Sequence, residues 1–281
     1  MADESVADQA GSQTADAPLA AITTVPVPGA GCGPAGRDTL HDTVAVVGEG
    51  AAAAPRSRFF AVLEAHGIAV ASEELGCGWD DADLLLPEER ALTSRMAPVR
   101  RREFIAGRVL ARALMGRLGT APTPLLPGAG RQPLWPPGLV GSITHSRRFC
   151  AVALAPATRI SGLGIDFEPF RAIEPELHAL ICTPAELGSL HAGDWPCSLG
   201  ELVCCLFSAK EAFYKAWYPL TARFLECHDV KVTLAPGLTE FTVEMEPGIQ
   251  KIALKIRGDL AIVDGHVSAS VMWEAAMPPP R

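Results

Sequence analysis

The chain has 281 residues, of which 48% are hydrophobic, so it has enough apolar material for one large or two medium folded domains. No stretch approaches twenty uninterrupted apolar residues and the first residues carry no basic segment, so we expect neither membrane insertion nor export and predict a cytoplasmic protein. The net charge is −8 and the pI about 5.4, which argues against general binding to nucleic acid.

Residues 1–55 are rich in Ala, Gly, Pro, Ser and Thr and show neither a helical nor a strand period. We predict a disordered extension here, and the alternative is a capping strand packed on the core. Ordered structure should begin near Arg58. Further on, Pro87 followed by two glutamates has the composition of a helix start.

The clearest helix of the first half is predicted over residues 99–118, because apolar side chains recur there at helical spacing. They form one seam: Phe104, Gly107, Ala111, Leu114 and Leu118. Residues 100–148 also contain nine arginines and a single acid, Glu103. A solvated arginine face is the simpler interpretation, but guanidinium groups match phosphate oxygens well, so a phosphate-binding surface is the alternative.

Two strand-like runs follow, over residues 139–144 and 149–155, and they form a plausible hairpin. The next apolar run is Gly-Ile-Asp-Phe-Glu at residues 164–168. A strand has a side-chain period of two, so Asp166 and Glu168 should lie on the same face. Taken alone, such a pair is usually a solvated face.

A second motif, Phe-Ser-Ala-Lys-Glu-Ala-Phe-Tyr-Lys at residues 207–215, is helical in pattern and places Glu211 and Lys215 one turn apart. Taken alone, this is an ordinary ion pair on a helix. Together the two motifs supply three carboxylates, Asp166, Glu168 and Glu211. Three hard oxygen donors suit Mg²⁺, with Mn²⁺ as an alternative, so we predict one metal site.

The remainder of the chain alternates or is rich in β-branched residues over 230–234, 241–245, 252–256 and 267–273, which predicts antiparallel strands. Each half therefore offers a helix followed by strands, and the predicted class is α+β. The eight cysteines include an adjacent pair and no Cys-x-x-Cys, which indicates reduced, mostly buried thiols.

The two motifs, in this order, resemble the signature of the Sfp-type 4′-phosphopantetheinyl transferases, in the branch typified by the D component of enterobactin synthetase. The likeness spans roughly residues 60–275 and includes further segments. These are Arg-Arg-Glu-Phe at 101–104, Leu-Trp-Pro-Pro-Gly at 134–138, Gly-Ser-Ile-Thr-His-Ser at 141–146 and Lys-Ala-Trp-Tyr-Pro-Leu-Thr at 215–221.

The resemblance implies a pseudo-dimer of two similar α+β subdomains, here residues 56–160 and 161–281, with the active site in the crevice between them. It also implies a function. The enzyme would transfer the 4′-phosphopantetheine arm of coenzyme A to a serine of an apo acyl or peptidyl carrier protein of fatty-acid, polyketide or peptide assembly. The products would be holo carrier protein and 3′,5′-ADP, and the transfer would be assisted by Mg²⁺.

Residue roles follow from the same resemblance. Glu211 and Lys215 would be catalytic, with Glu211 as the general base. Contacts with coenzyme A are implied for Arg100, Arg101, Arg108, Thr144, His145, Lys210 and Lys215. The family often has a lysine where Gly130 stands here, and Arg131 is the candidate replacement. Lys210 has an alternative, in which it lies along apolar surface. We expect a monomer.

Two other classes of function remain open at this point. A metal-dependent nuclease would also use clustered carboxylates and a lysine, but the arginine block has no interleaved aromatic residues. A non-catalytic relative that binds coenzyme A or a carrier protein is the third class. Pure binding would not require all three carboxylates.

Overall fold

The computed structural model describes residues 56–245 and 255–275. The predicted extension of residues 1–55 lies outside these described residues, as do the first three residues of the strand predicted over 252–256.

The first half forms a three-stranded antiparallel sheet with strand order β1-β3-β2 and a long helix, α3, packed on β3 and β1. Its elements are α1 (Arg56–Ala65), β1 (Ala69–Glu74), α2 (Pro87–Arg90), α3 (Pro98–Arg117), β2 (Leu139–Ser146) and β3 (Phe149–Pro156). The predicted helix is confirmed to within one residue at each end, because its apolar seam packs against the sheet. The predicted hairpin is also confirmed, whereas β1 was not predicted.

The second half forms a five-stranded antiparallel sheet with strand order β4-β8-β7-β6-β5. Its elements are β4 (Ile160–Pro169), α4 (Pro175–Ile181), α5 (Pro184–Ala192), α6 (Leu199–Thr221), β5 (Val230–Leu234), β6 (Glu240–Met245), β7 (Lys255–Val263) and β8 (His266–Glu274). The strand predicted over 252–256 shares residues 255 and 256 with β7, which continues to Val263. The prediction ended at 256 because Gly258 and Asp259 interrupt the apolar pattern of the sequence. Helices α4 and α5 were not predicted.

The two sheets meet where β2 lies beside β4, and side-chain hydroxyls join them. Ser142 Oγ accepts a hydrogen bond from the Ile165 amide at 3.1 Å, and Thr144 Oγ1 accepts one from the Phe167 amide at 3.1 Å. A buried apolar cluster crosses the same boundary, with Phe149 stacked on Phe167 at 4.7 Å between ring centroids. The chain is therefore a mixed α+β protein whose two sheets share a core.

Gly164 allows helix α6 to lie directly on strand β4. A Cβ atom added at this position would collide with the backbone carbonyl oxygen of Ala212 and crowd the amide of Ala216. Only glycine permits so close an approach of a strand and a helix backbone. This contact brings Glu211 and Lys215 of α6 beside the carboxylates of β4.

Within residues 56–245 and 255–275, no helix combines the length and the apolar character needed to cross a bilayer.

Candidate active site

Asp166 is the most enclosed carboxylate of the site, with 1% of its surface exposed. Its Oδ1 atom accepts a hydrogen bond from Lys215 Nζ at 2.6 Å and a longer one from Thr144 Oγ1 at 3.4 Å. Its Oδ2 atom accepts one from Ser208 Oγ at 2.8 Å. The ammonium and the two hydroxyls offset the cost of burying the charge and fix the orientation of the carboxylate.

Glu168 and Glu211 are half-buried near Asp166 and feel its charge. Burial and the negative charge of Asp166 raise the pKa of Glu168 to about 7, and the charge of Glu211 adds to this effect. Burial raises the pKa of Glu211 as well; the Asp166 charge acts in the same direction and Lys215 opposes it. Asp166 therefore lies close enough to both glutamates to disfavour their ionisation.

The donor set fits a divalent cation of the magnesium type. Asp166, Glu168 and Glu211 offer hard oxygen atoms, and a bound cation would offset the burial and the repulsion by Asp166 that raise the pKa values of Glu168 and Glu211. The ammonium of Lys215 lies 2.6 Å from Asp166 Oδ1, so this carboxylate already binds one cationic group. Among the residues that the structure describes, no group of three or more His, Cys, Asp or Glu side chains is arranged to hold a metal ion.

The raised pKa of Glu168 predicts that the metal-free protein becomes less stable as pH rises. The folded state holds the Glu168 proton up to about pH 7, whereas the unfolded chain releases it near its ordinary pKa of 4.5. The folded state thus binds more protons in this interval, so the free energy of unfolding falls with rising pH.

Urea unfolding at several pH values, in the presence of a chelator, should show this fall in the free energy of unfolding as a slope against pH. Glu168→Gln should flatten it and Glu88→Gln, at an exposed position, should not; equal slopes in all three proteins would contradict the assignment.

A cavity of about 210 Å³ opens between the two halves of the chain, next to Lys215. Five of the residues predicted to bind coenzyme A line it: Arg100, Arg108, Arg131, His145 and Lys215. Its other walls include aromatic side chains that the sequence analysis did not select: Trp135, Tyr214 and Tyr218. The cavity therefore combines four cationic side chains with apolar surface, as an anion with an organic body requires.

His145 is held between Arg100 and Glu103 at one end of the cavity. Arg100 Nη1 lies 2.6 Å from His145 Nε2, and His145 Nδ1 lies 3.4 Å from Glu103 Oε2. Because Arg100 can only donate, Nε2 accepts and the ring proton lies on Nδ1, facing Glu103. Burial lowers the pKa of His145, with the charges of Arg100 and Lys215 acting in the same direction and Glu103 opposing them. The lowered pKa favours the neutral ring at neutral pH.

Arg108 is buried, yet it lines the cavity. Its Nε atom donates to the Leu125 carbonyl at 3.2 Å, and its guanidinium carbon lies 3.8 Å from the centre of the Phe104 ring. Burial lowers the pKa of Arg108 to about 10, so the group stays charged at neutral pH. A rigid, poorly hydrated guanidinium of this kind is well suited to binding a phosphate.

The loop that carries Arg131 packs against Tyr218 at position 130. A Cβ atom added to Gly130 would collide with the outer end of the Tyr218 ring, so a lysine there would require the tyrosine side chain to move. Arg131 itself is exposed, lines the cavity and has a φ of 66°. The neighbouring arginine thus stands at the cavity wall beside the position at which the family often has a lysine.

Comparison with known proteins agrees with this geometry. The family model "4′-phosphopantetheinyl transferase N-terminal domain" matches residues 88–155, and the model "4′-phosphopantetheinyl transferase superfamily" matches residues 162–263. The chain is 41% identical over 169 residues to 4′-phosphopantetheinyl transferase Svp of Streptomyces mobaraensis, covering 59% of this chain and 68% of Svp.

Two further relatives agree. 4′-Phosphopantetheinyl transferase PptT of Mycobacterium tuberculosis is 37% identical over 160 residues, which cover 56% of this chain and 68% of PptT. Enterobactin synthase component D of Salmonella typhi is 38% identical over 121 residues, which cover 42% of this chain and 48% of that protein.

This chain belongs to the 4′-phosphopantetheinyl transferase family.

The predicted family and enzyme class are thereby confirmed. As a phosphopantetheinyl transferase, the protein uses coenzyme A as a substrate and acts on a carrier protein. The nuclease and the non-catalytic relative are not supported by these matches.

Two residues predicted to contact coenzyme A have other roles in the transferase. Lys210 is buried, and its ammonium donates to Glu186 Oε2 at 2.9 Å and to the carbonyls of Ile181 and Cys227. A lysine with these partners has its three N–H donors engaged within the protein. Thr144 is buried as well, and its hydroxyl contacts Asp166 and the Phe167 amide. Neither side chain lines the cavity, and contact with coenzyme A stays a prediction for both.

Arg101 does not line the transferase's cavity, although its neighbour Arg100 does. Its Nε atom is buried and has no hydrogen-bond partner among the described residues. The structure therefore does not place Arg101 with the other predicted ligands of coenzyme A.

Three polar residues that contact the site were not predicted from the sequence: Glu103, Ser142 and Ser208. Glu103 was visible as the only acid in the arginine block, three residues from Arg100. Ser208 stands inside the helical motif and Ser142 inside the segment 141–146, but a serine in a motif does not reveal its partner. Only the packing of α6 on β4 and of β2 beside β4 brings them to the site.

Proposed function

We propose that this transferase binds coenzyme A in the cavity between its two sheets and there passes the phosphopantetheine arm to a serine of an apo carrier protein. In this proposal Asp166, Glu168 and Glu211 hold Mg²⁺, with Mn²⁺ as an alternative. The observation that carries it is the buried Asp166 carboxylate, 2.6 Å from Lys215 beside the arginine-lined cavity, with Glu168 and Glu211 in electrostatic contact.

The cationic wall suits the phosphates of coenzyme A. Arg100, Arg108 and Arg131 line it, and each guanidinium can bind phosphate oxygens through two N–H groups. His145 lies at the same wall and is assigned to the 3′-phosphate. A phosphate next to His145 would add a negative charge and favour the protonated ring. Trp135 and the tyrosines of α6 offer surface for the uncharged parts of the ligand.

The proposed reaction needs a base and cations. The serine oxygen forms a bond to the pantetheine-side phosphorus as the bond from that phosphorus to the bridging oxygen breaks, which releases 3′,5′-ADP. Glu211 accepts the serine proton, and Lys215 stabilises charge on the phosphate oxygens. Bound Mg²⁺ would neutralise the pyrophosphate oxygens. Positioning and electrostatics supply most of the acceleration in such transfers.

Intact-mass spectrometry of an apo carrier protein tests the proposal. Incubation with the enzyme, coenzyme A and Mg²⁺ should add the mass of one phosphopantetheine group, with one equivalent of 3′,5′-ADP released. A carrier whose serine is replaced by alanine should stay unmodified. No mass gain on carriers from fatty-acid, polyketide and peptide assembly would refute the proposal, and omission of Mg²⁺ without effect would refute its metal part.

A second prediction concerns the 3′-phosphate. His145→Ala should raise the KM for coenzyme A about tenfold, because one charge-assisted hydrogen bond is lost. It should leave the KM for 3′-dephospho-coenzyme A nearly unchanged. His191→Ala, at an exposed position on α5, serves as the control. An equal rise in KM for both substrates would show that His145 acts elsewhere.

Three coarser features are also proposed. In each half, the strand before the long helix (β1 or β4) pairs antiparallel with the last strand of that half (β3 or β8), which supports a pseudo-dimer of residues 56–160 and 161–281. The six cysteines whose surroundings are described are free, which supports a reducing compartment such as the cytoplasm. A mass near 29.6 kDa by light scattering would support a monomer, and twice that mass would refute it.

A further inference from the structure

Two buried ion pairs, one in each half of the chain, have the same design. We call Glu89 with Arg112 the N-terminal pair and Glu186 with Lys210 the C-terminal pair. Each glutamate is the third residue of a short helix that begins with proline, α2 or α5, and each glutamate side chain has 0% exposure. A fully buried carboxylate must have several partners to be tolerated.

In the N-terminal pair, Glu89 accepts three hydrogen bonds. Its Oε2 atom accepts from the Leu86 amide at 3.1 Å and from Arg112 Nη1 at 2.5 Å. Its Oε1 atom accepts from the Leu125 amide at 2.8 Å, 36 residues along the chain. Arg112 also donates through Nη2 to the Leu84 carbonyl at 2.5 Å.

The C-terminal pair repeats this pattern atom for atom. Glu186 Oε2 accepts from the Thr183 amide at 2.7 Å and from Lys210 Nζ at 2.9 Å. Its Oε1 atom accepts from the Val232 amide at 2.6 Å, 46 residues along the chain. Lys210 also donates to the Ile181 carbonyl at 2.8 Å.

The spacings match as well. Each glutamate accepts from the amide three residues before it, and its cation follows after 23 residues in one half and 24 in the other. The cation also reaches back 28 or 29 residues to a carbonyl. The two halves share no evident sequence repeat, so the agreement lies in the structure. It indicates that the same anchor holds a long helix in each half.

The anchored helices are the two that supply the active site. Arg112 follows Arg108 by one turn of α3, and Glu89 holds the amide of Leu125, whose carbonyl accepts from Arg108. The N-terminal pair therefore fixes the position of the Arg108 side chain. Lys210 directly precedes Glu211 on α6 and is bound on three sides by Glu186 and two carbonyls. The C-terminal pair therefore fixes the rotation and axial position of α6.

We propose that the two pairs are matched positioning residues with separate tasks. The N-terminal pair sets α3 for binding coenzyme A, and the C-terminal pair sets α6 for the chemical step. The inference rests on the proposed function, in which Arg108 binds phosphate and Glu211 with Lys215 acts on the transferred group. If the pairs only stabilised the fold, removal of one pair would not act on the KM for coenzyme A while removal of the other acts on kcat.

Steady-state transfer to an apo carrier protein, with coenzyme A varied, tests the division. Glu186→Gln and Lys210→Met should lower kcat about 10- to 100-fold with little change in the KM for coenzyme A, because a small displacement of a reacting group is costly. Glu89→Gln and Arg112→Met should raise the KM for coenzyme A about tenfold and change kcat little. Equilibrium titration with coenzyme A should show weaker binding for the second set alone.

Replacement of one cationic side chain by another provides a second test. It does not leave the buried glutamate without a cation, as Lys210→Met does. Because arginine fills in one half the place that lysine fills in the other, Lys210→Arg should keep kcat within about threefold of the unaltered protein and far above that of Lys210→Met. The control is Arg257→Gln, in an exposed ion pair with Glu240, which should change neither constant. Circular dichroism at the assay temperature confirms that the compared variants are folded.

The outcomes are separable. A raised KM for coenzyme A with unchanged kcat in Lys210→Met would show that Lys210 binds the ligand and would overturn the inference. Equal changes in kcat and KM for the variants of both pairs would overturn it too. If the Met variants do not fold, the comparison of Glu89→Gln with Glu186→Gln decides in the same way. Absence of transfer by the unaltered protein would overturn the proposed function, and with it this inference.

Discussion

Replacement of Asp166 by asparagine is expected to lower kcat about 10³-fold, since charge stabilisation of several kcal/mol at a phosphate is lost. Asparagine keeps the size of the side chain and can still accept from Ser208, so the site should keep its shape. What it loses is the negative charge that holds Lys215 at 2.6 Å and that a divalent ion requires. Without that charge, Lys215 is free to turn away from the phosphates.

The measurement is the rate of mass gain on an apo carrier protein, together with Mn²⁺ binding followed by electron paramagnetic resonance. Asp166→Asn should weaken both, whereas Asp194→Asn, at an exposed position before α6, should weaken neither. Urea unfolding should show that Asp166→Asn stays folded. A folded Asp166→Asn protein that transfers at the rate of the unaltered enzyme would remove the central carboxylate from the mechanism.

The sequence was most informative where a local pattern and a function coincide. The period of two in residues 164–168 and the helical period in residues 207–215 predicted which side chains share a face, and the structure brings Asp166 and Lys215 into contact. Periodicity reports only the side of an element on which a residue lies. It could not reveal that Gly164 lets the two elements touch, which is a property of two segments that are distant along the chain.

Lys210 shows the limit of the same method. It stands next to Glu211 in a recognised motif, and its position one residue away turns it by about 100° around the helix. From the sequence, Lys210 could meet either phosphate or apolar surface; in the structure its partner is a buried carboxylate from α5. That partner was invisible because α5 itself was not predicted. Charged residues in motifs are therefore assigned safely only when the elements around them are known.

Gly130 shows how packing bears on a departure from a family pattern. The sequence suggested a missing lysine and a neighbouring arginine as its replacement. In the structure the Tyr218 ring lies where a Cβ atom at position 130 would stand, so a larger residue there would require the tyrosine side chain to move. Tyr218 belongs to α6, so a residue of the other half of the protein packs against this loop.

The second large effect is expected for Gly164→Ala, which should destabilise the protein by about 3 kcal/mol, in the range of severe overpacking. The added methyl group would overlap the Ala212 carbonyl, a backbone atom that cannot rotate out of the way as a side chain can. Helix α6 must then move away from β4, which separates Glu211 and Lys215 from Asp166. Transfer activity should therefore fall even in the fraction of molecules that remain folded.

Gly188→Ala is the matched control. It lies within α5, and an added Cβ there meets nothing within 4 Å, so alanine should raise stability by about 0.5–1 kcal/mol through its better helix propensity. Urea unfolding compares the two variants, and kcat is measured at temperatures where both are folded. If Gly164→Ala unfolds at the same urea concentration as the unaltered protein and keeps its kcat, then the contact between α6 and β4 does not set the geometry of the active site.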